Sequence, residues 1–506
     1  MTVIKSQRCR LAVAFARAAC LLIALIGVSS PGSTQTLRVA LSSIPQNKSN
    51  PHTAVIDFLG TWSALLDPLT VVASDGTLKP WLATEWRQET ARTWVFTLRK
   101  DVTFSNGRKF EADAVVETIS YLKSPTGRTD LLGRELSHLV FAEAIDSHTV
   151  RVTANGPRPF MPYELSLMMI PEPQTWRARG SDAVASRPIG TGPFQITSWG
   201  VDRIEFDAVQ SSWRQPHMRS LELFEARDAS ARFTGFKSGR FDIASQISPD
   251  NVAEVEALGG SIRQNSVPAA FAIIFNAVKD SRFQDPKVRR ALNYAVNKQV
   301  IIDVLFKGLT VIASQPAPRS AVGYNSNIEP YPYDPGMARQ LLAEAGYGDG
   351  FSFVMEVSNE SSLTLNIHQQ VAADLARVGV EMTILTLTRP KFLRNLQDGG
   401  WAGSAFPSGY FTPNYDALRS MLTQSCLWPK PWYCDQAIMP LIEEAFDEPD
   451  MERRKRLTRQ IMDYSHEQAQ GLFLYEAANL TALGPNISDY RTEGSFVLYE
   501  LVRVAD

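Results

Sequence analysis

The stretch IHQQVAADLARVGVEMTI, residues 367 to 384, changes its hydrophobic period once, and that change decides the fold class. Ile367, Val371, Leu375 and Val378 recur every three or four residues and so lie along one helical face. Gly379 stands where such a helix ends, because glycine enters the left-handed conformation of a C-terminal cap without a Cβ penalty. Beyond it Val380, Met382 and Ile384 alternate with polar residues, the period of a strand. A helix that runs straight into a strand suits a buried sheet covered by helices, so an α/β protein is expected.

Upstream, the same grammar repeats. Asp334 followed by Pro335 is an N-cap with proline at the first helical position, and Ala338, Leu341, Leu342 and Ala345 form the apolar stripe that Gly346 closes. Asp285 and Pro286 open another helix through Val288, Ala291, Leu292, Ala295 and Val296. Towards the N-terminus, Leu37 to Leu41 reads as a first strand. Thr93 to Arg99 reads as a half-buried strand, with Trp94, Phe96 and Leu98 on one face. Ser105 to Arg108 make a turn, and Val115, Ile119 and Leu122 mark a helix over 112–122.

The chain begins with Lys5, Arg8, Arg10 and Arg17, then an uncharged run from Ala18 to Val28, then small residues to Thr34. That order is a secretory leader over residues 1–34, cleaved on export, with Cys20 inside the discarded piece. The apolar run is too short for a membrane span, which takes about 20 residues. Removing the leader leaves 47 Lys+Arg against 53 Asp+Glu, a net charge of −6 that speaks against nucleic acid as a partner. The roughly 470 remaining residues exceed what one hydrophobic core serves, so two or three cores are expected. Of the four cysteines, Cys426 and Cys434 remain. An even count in an oxidising compartment favours a disulfide, since seven intervening residues fit neither structural zinc spacing nor a C-x-x-C dithiol.

Enzyme signatures fail on inspection. Ser120 and Lys123 match S-x-x-K, but no K-T-G partner exists in the chain. Gly190 and Gly192 lack the third glycine of a dinucleotide fingerprint, because Gln195 sits there. His466 and Glu467 start a zinc-protease motif that ends on Gln470 instead of histidine. Six scattered histidines offer no chelating spacing, so neither metal nor cofactor is expected. The acidic stretch Glu443 to Asp450 and the basic run Arg453 to Arg456 read as exposed faces of consecutive helices.

Six segments, in order, carry a resemblance to a family: Pro80–Ala83 ahead of Trp86; Phe104–Val116; Gly190–Phe194; Gly239–Ile243; Phe275–Asn276 leading to Asp285–Leu292; and Tyr333–Pro335 running to Glu344–Tyr347. The chain resembles the peptide- and nickel-type periplasmic solute-binding proteins of ABC importers. The resemblance implies a two-lobed class II binding-protein fold with an additional subdomain inserted in the first lobe. It places the first lobe in 36–48, 186–268 and 478–506, the insert in 49–185 and the second lobe in 269–477. It also implies a non-enzymatic, monomeric periplasmic receptor that captures a small peptide or peptide-like solute and delivers it to membrane permease subunits. An opine, a metal chelate or another charged amino-acid derivative is the alternative ligand, and a secreted serine hydrolase the alternative outside the class. In the resembled family, the region corresponding to Trp401–Asp416 lines the cleft. Phe406, Ser408, Tyr410 and Phe411 are therefore candidate ligand contacts, with packing of these aromatics within the second lobe the equal alternative, and Asp416 is a candidate partner for a ligand ammonium group. The family's usual Asp-Pro pair is absent, since Asn414 and Tyr415 separate Pro413 from Asp416. Ser42 and Ser43 are candidates on the opposite lobe.

Overall fold

The computed structural model describes residues 35–46, 50–53, 58–174, 188–358 and 362–505. The leader expected over 1–34 lies outside them. Among the described residues no helix is long and apolar enough to cross a membrane.

The chain enters on strand β1 (Thr36–Leu41) and then builds the insert. A hairpin of β2 (Thr70–Val72) and β3 (Leu78–Pro80) comes first. A four-stranded antiparallel sheet follows, from β4 (Ala83–Thr90), β5 (Thr93–Leu98), β6 (Leu139–Asp146) and β7 (Thr149–Ala154), in the order β4-β5-β7-β6. The expected helix packs on this sheet over Ala112–Lys123, burying Val115, Ile119 and Leu122, while Ser120 is exposed. The chain returns to the first lobe through β8 (Phe194–Trp199), β9 (Arg203–Ala208), β10 (Ser220–Glu225) and β11 (Ile243–Ala244). Gly192 does not need glycine for a positive φ. Its Cβ would meet the Leu65 carbonyl carbon at 2.6 Å, so glycine allows two backbones to touch there.

Strand β12 (Ser261–Phe275) then runs into the second lobe, where β13 (Phe351–Ser358), β14 (Val380–Leu387) and β15 (Ala405–Phe411) follow, and β16 (Gly471–Leu483) runs back. Together with β1 and β8–β11 these form one ten-stranded sheet, β14-β13-β15-β12-β16-β11-β1-β10-β9-β8. The period change at Gly379 forms as expected. The helix Ser362–Ala376 connects β13 to β14 in parallel register, and Gly379 has φ +84°. Asp285 and Asp334 cap their helices, accepting from the Lys287 and Met337 amides at 2.8 and 2.9 Å.

Two large cores flank the crossing. One joins the first lobe to the insert, with Leu37, Trp62, Phe96, Phe104 and Phe206, and the other fills the second lobe, with Ile273, Phe283, Leu292, Met355 and Phe406. Between them, β12 and β16 pair over Ser261–Ser266 and again over Ala270–Ile274, with register slips between. Pro268 sits in the slip, where its missing N–H costs no ladder bond. Cys426 and Cys434 are bridged, with Cα atoms 4.5 Å apart.

Candidate functional site

A cavity of about 950 Å³ lies between the lobes, astride the slip in β12 and β16. The crossing strands supply Asn265, Val267, Phe271, Tyr475 and Asn479, so the connection that joins the lobes is also the floor of the cavity. Phe271 stacks on Tyr475 at 5.2 Å, Phe306 lies 4.6 Å from Tyr475, and Phe411 stands edge-on to Phe271 at 5.8 Å, which makes an aromatic wall on the second-lobe side.

The first lobe contributes the ends of its central strands. Ser42 and Ser43, just past β1, line the cavity, as do Ser245 and Gln246, just past β11. Gln246 holds φ +49°, a strained conformation for a side-chain-bearing residue. Buried Arg232 keeps it there by donating Nε to the Ser245 carbonyl at 2.7 Å and Nη2 to the Gln246 carbonyl at 2.8 Å. Tyr490, Gly494 and Tyr499 close the cavity from the C-terminal segment. Among the described residues that line the cavity, Arg389 and Arg419 are the charged ones and no side chain is acidic.

The expected contacts of the second lobe divide by strand alternation. In β15, Phe406, Ser408 and Tyr410 share one face and Phe411 takes the other. Phe411 lines the cavity and is 52% exposed. Phe406 instead stacks on Trp401 at 4.0 Å inside the second-lobe core. Tyr410 is also in that core, where burial pushes its phenol well above the ordinary range, and Ser408 is half-buried and not among the cavity-lining residues. The structure places these three on the inward face of the strand and outside the described cavity lining.

Asp416 likewise lies outside the described cavity lining. It caps the turn Ala417–Leu422 by accepting from the Leu418 amide at 3.1 Å. Both its oxygens accept from Arg454, at 3.0 and 2.7 Å, with the pair shielded from water. The carboxylate is thus already charge-paired within the second lobe. Arg454, read from sequence as part of an exposed basic face, is thereby buried, and its guanidinium lies 5.0 Å over the Phe160 ring of the insert. The residues missed in the sequence are those of the crossing strands. Pro268 within a run of strand formers was the available signal, since proline inside a strand marks a bulge.

Comparison with known proteins gives a consistent answer. Residues 77–426 match the family model described as bacterial extracellular solute-binding proteins, family 5 Middle. The chain is 27% identical over 417 residues to a glutathione-binding protein of Salmonella typhimurium, covering 79% of this chain and 80% of the other. It is 27% identical over 449 residues to a dipeptide-binding protein of Escherichia coli, covering 81% and 83%. A periplasmic binding protein of Helicobacter pylori, solved with the peptide STSA, superposes with a TM-score of 0.75 at 22% identity, covering 93% of this chain and 98% of that one.

Proposed function

The chain belongs to family 5 of the bacterial extracellular solute-binding proteins, and from that premise we propose that it captures a peptide-sized solute in the interlobe cavity and delivers it to the permease of an ABC importer. The observation that carries this reading is the cavity itself: about 950 Å³, between two lobes, on a floor made by the strands that join them. That volume is at the upper end of the usual range for small-molecule sites and accommodates a di- or tripeptide. Aromatic faces at Phe271, Tyr475 and Phe411 cover apolar parts of such a solute, while Ser42, Ser43, Asn265, Asn479 and Gln246 offer hydroxyl and amide groups to its backbone. The relatives named for glutathione and dipeptides support the size class. The receptor works as a monomer in the periplasm after loss of its leader, and its action is binding and release with no covalent step.

A second reading is favoured by one observation. With no acidic side chain among the described lining residues, the cavity suits an acidic solute, such as an opine or a carboxylate-bearing metal chelate, better than a cationic one. Native mass spectrometry of freshly purified protein tests both, because a closed cavity retains its solute. Calorimetric titration of refolded protein with trialanine, reduced glutathione and an opine then ranks the classes. Heat from none of them, with no retained mass, would remove the peptide-sized reading.

A further inference from the structure

Arg419 lines the cavity, yet its guanidinium is committed across the lobe boundary. Nε donates to Glu135 Oε2 at 3.3 Å, Nη2 pairs with Oε1 of the same carboxylate, and Nη1 holds the Phe411 carbonyl at 3.0 Å. Glu135 ends the short helix Leu131–Glu135 of the insert, whereas Arg419 sits in the turn Ala417–Leu422 of the second lobe. The two residues are 284 positions apart and meet only because the lobes come together. Asp416 positions this contact twice. It caps the turn that carries Arg419, and it clamps Arg454 against Phe160 of the same insert.

We propose that Arg419 and Glu135 are an interlobe latch, positioned by Asp416 and Arg454, which sets the population of the closed receptor. Opening the lobes separates both guanidinium groups from the insert while leaving the Asp416–Arg454 pair intact within the second lobe. The latch therefore biases closure without needing to touch the solute. A bidentate arginine–carboxylate pair with both partners about a quarter exposed favours the closed state by about five- to thirtyfold. Because solute is held by the closed state, that factor also enters its apparent affinity.

The proposal rests on the two-lobed receptor reading, but its test reads lobe separation and not solute. Spin labels at Val201→Cys in the first lobe and Met337→Cys in the second, both at exposed positions, report closure by double electron–electron resonance on the exported chain freed of solute by refolding. Glu135→Gln and Arg419→Gln are each expected to lower the closed-to-open ratio about five- to thirtyfold, and the exchange Glu135→Arg with Arg419→Glu to restore most of it. Asp416→Asn is expected to open the lobes as well, through the turn and Arg454. Thermal unfolding of each variant separates opening from misfolding, since Glu135→Gln is a near-isosteric change of one partly exposed side chain. Single variants with unchanged distance distributions, or an exchange that adds the two defects instead of cancelling them, would overturn the latch. A failure of every solute to bind would count against the transport reading and leave the distance measurement standing.

Discussion

Asp67 and Arg214 form an ion pair at 3.2 Å with side chains 0% and 3% exposed, and this pair ties the insert to the first lobe. Asp67 also accepts from Trp81 Nε1 and Thr191 Oγ1, both at 2.7 Å, and Arg214 reaches Glu500 near the C-terminus at 3.4 Å. Three distant parts of the chain thus share one buried carboxylate. Asp67→Asn keeps the shape and removes the charge, leaving Arg214 short of a counterion in a dry site. The expected loss is about 3 kcal/mol of unfolding free energy, measured by urea denaturation. A change below about 1 kcal/mol would mean that Glu500 suffices as partner.

Gly494 has φ +54°, and a Cβ there would sit 2.2 Å from the Tyr415 hydroxyl of the opposite lobe. Tyr415 is itself buried at φ +62°, so it has little room to retreat. Gly494→Ala is expected to hold the lobes apart and to speed release of bound solute at least about tenfold, the effect of about 1.4 kcal/mol at the boundary. Stopped-flow measurement of intrinsic fluorescence on dilution checks it, and an unchanged release rate would show that the boundary yields.

The Cys426–Cys434 bridge closes a short loop that carries Trp428 and Trp432, the latter edge-on to Phe406 at 5.2 Å in the second-lobe core. Neither cysteine is among the cavity-lining residues. Reduction, or Cys426→Ser with Cys434→Ser, is expected to cost about 2–3 kcal/mol of stability and to leave solute affinity within about twofold. Denaturation with and without dithiothreitol, followed by titration of the reduced protein, reads both quantities.

Glu476 lies on β16 opposite Ala270, next to the register slip, with Arg319 at 3.4 Å. Burial pushes its carboxyl up to about 7 from an ordinary 4.5, against the opposing pull of Arg319. The unfolded chain loses this proton near pH 4.5 and the folded chain near pH 7, so the folded state binds more protons in between. This residue's contribution to stability is therefore highest below about pH 4.5, falls as pH rises to about 7, and is constant above. Glu476→Gln is expected to remove that slope and to stabilise the protein relative to wild type at pH 8. Unfolding midpoints from pH 4 to 8 test it, and parallel curves for the two proteins would show that Glu476 titrates normally.

The sequence by itself determined the local units. Residues 367–384 carry a helix, a glycine stop and a strand in their own side-chain spacing, and Asp285 and Asp334 announce their helices through bonds to amides two or three residues away. Such interactions are short in sequence, so spacing records them. The ordered motifs pointed to the two-lobed scaffold in the same way. Alternation along β15 separates Phe406, Ser408 and Tyr410 from Phe411, but spacing does not say which face meets the core and which meets the cavity. Only tertiary structure decided that, because the answer depends on what β12 and the second-lobe helices place on either side. Charged partners follow the same rule. Asp416 looked available until Arg454 arrived from 38 residues away, and Arg419 meets Glu135 across 284 residues when two separately packed cores approach. A buried charge takes whichever opposite charge the fold brings within hydrogen-bond reach, since desolvation makes an unpaired one costly, and that choice is made by the packing of distant elements and leaves no mark on local sequence.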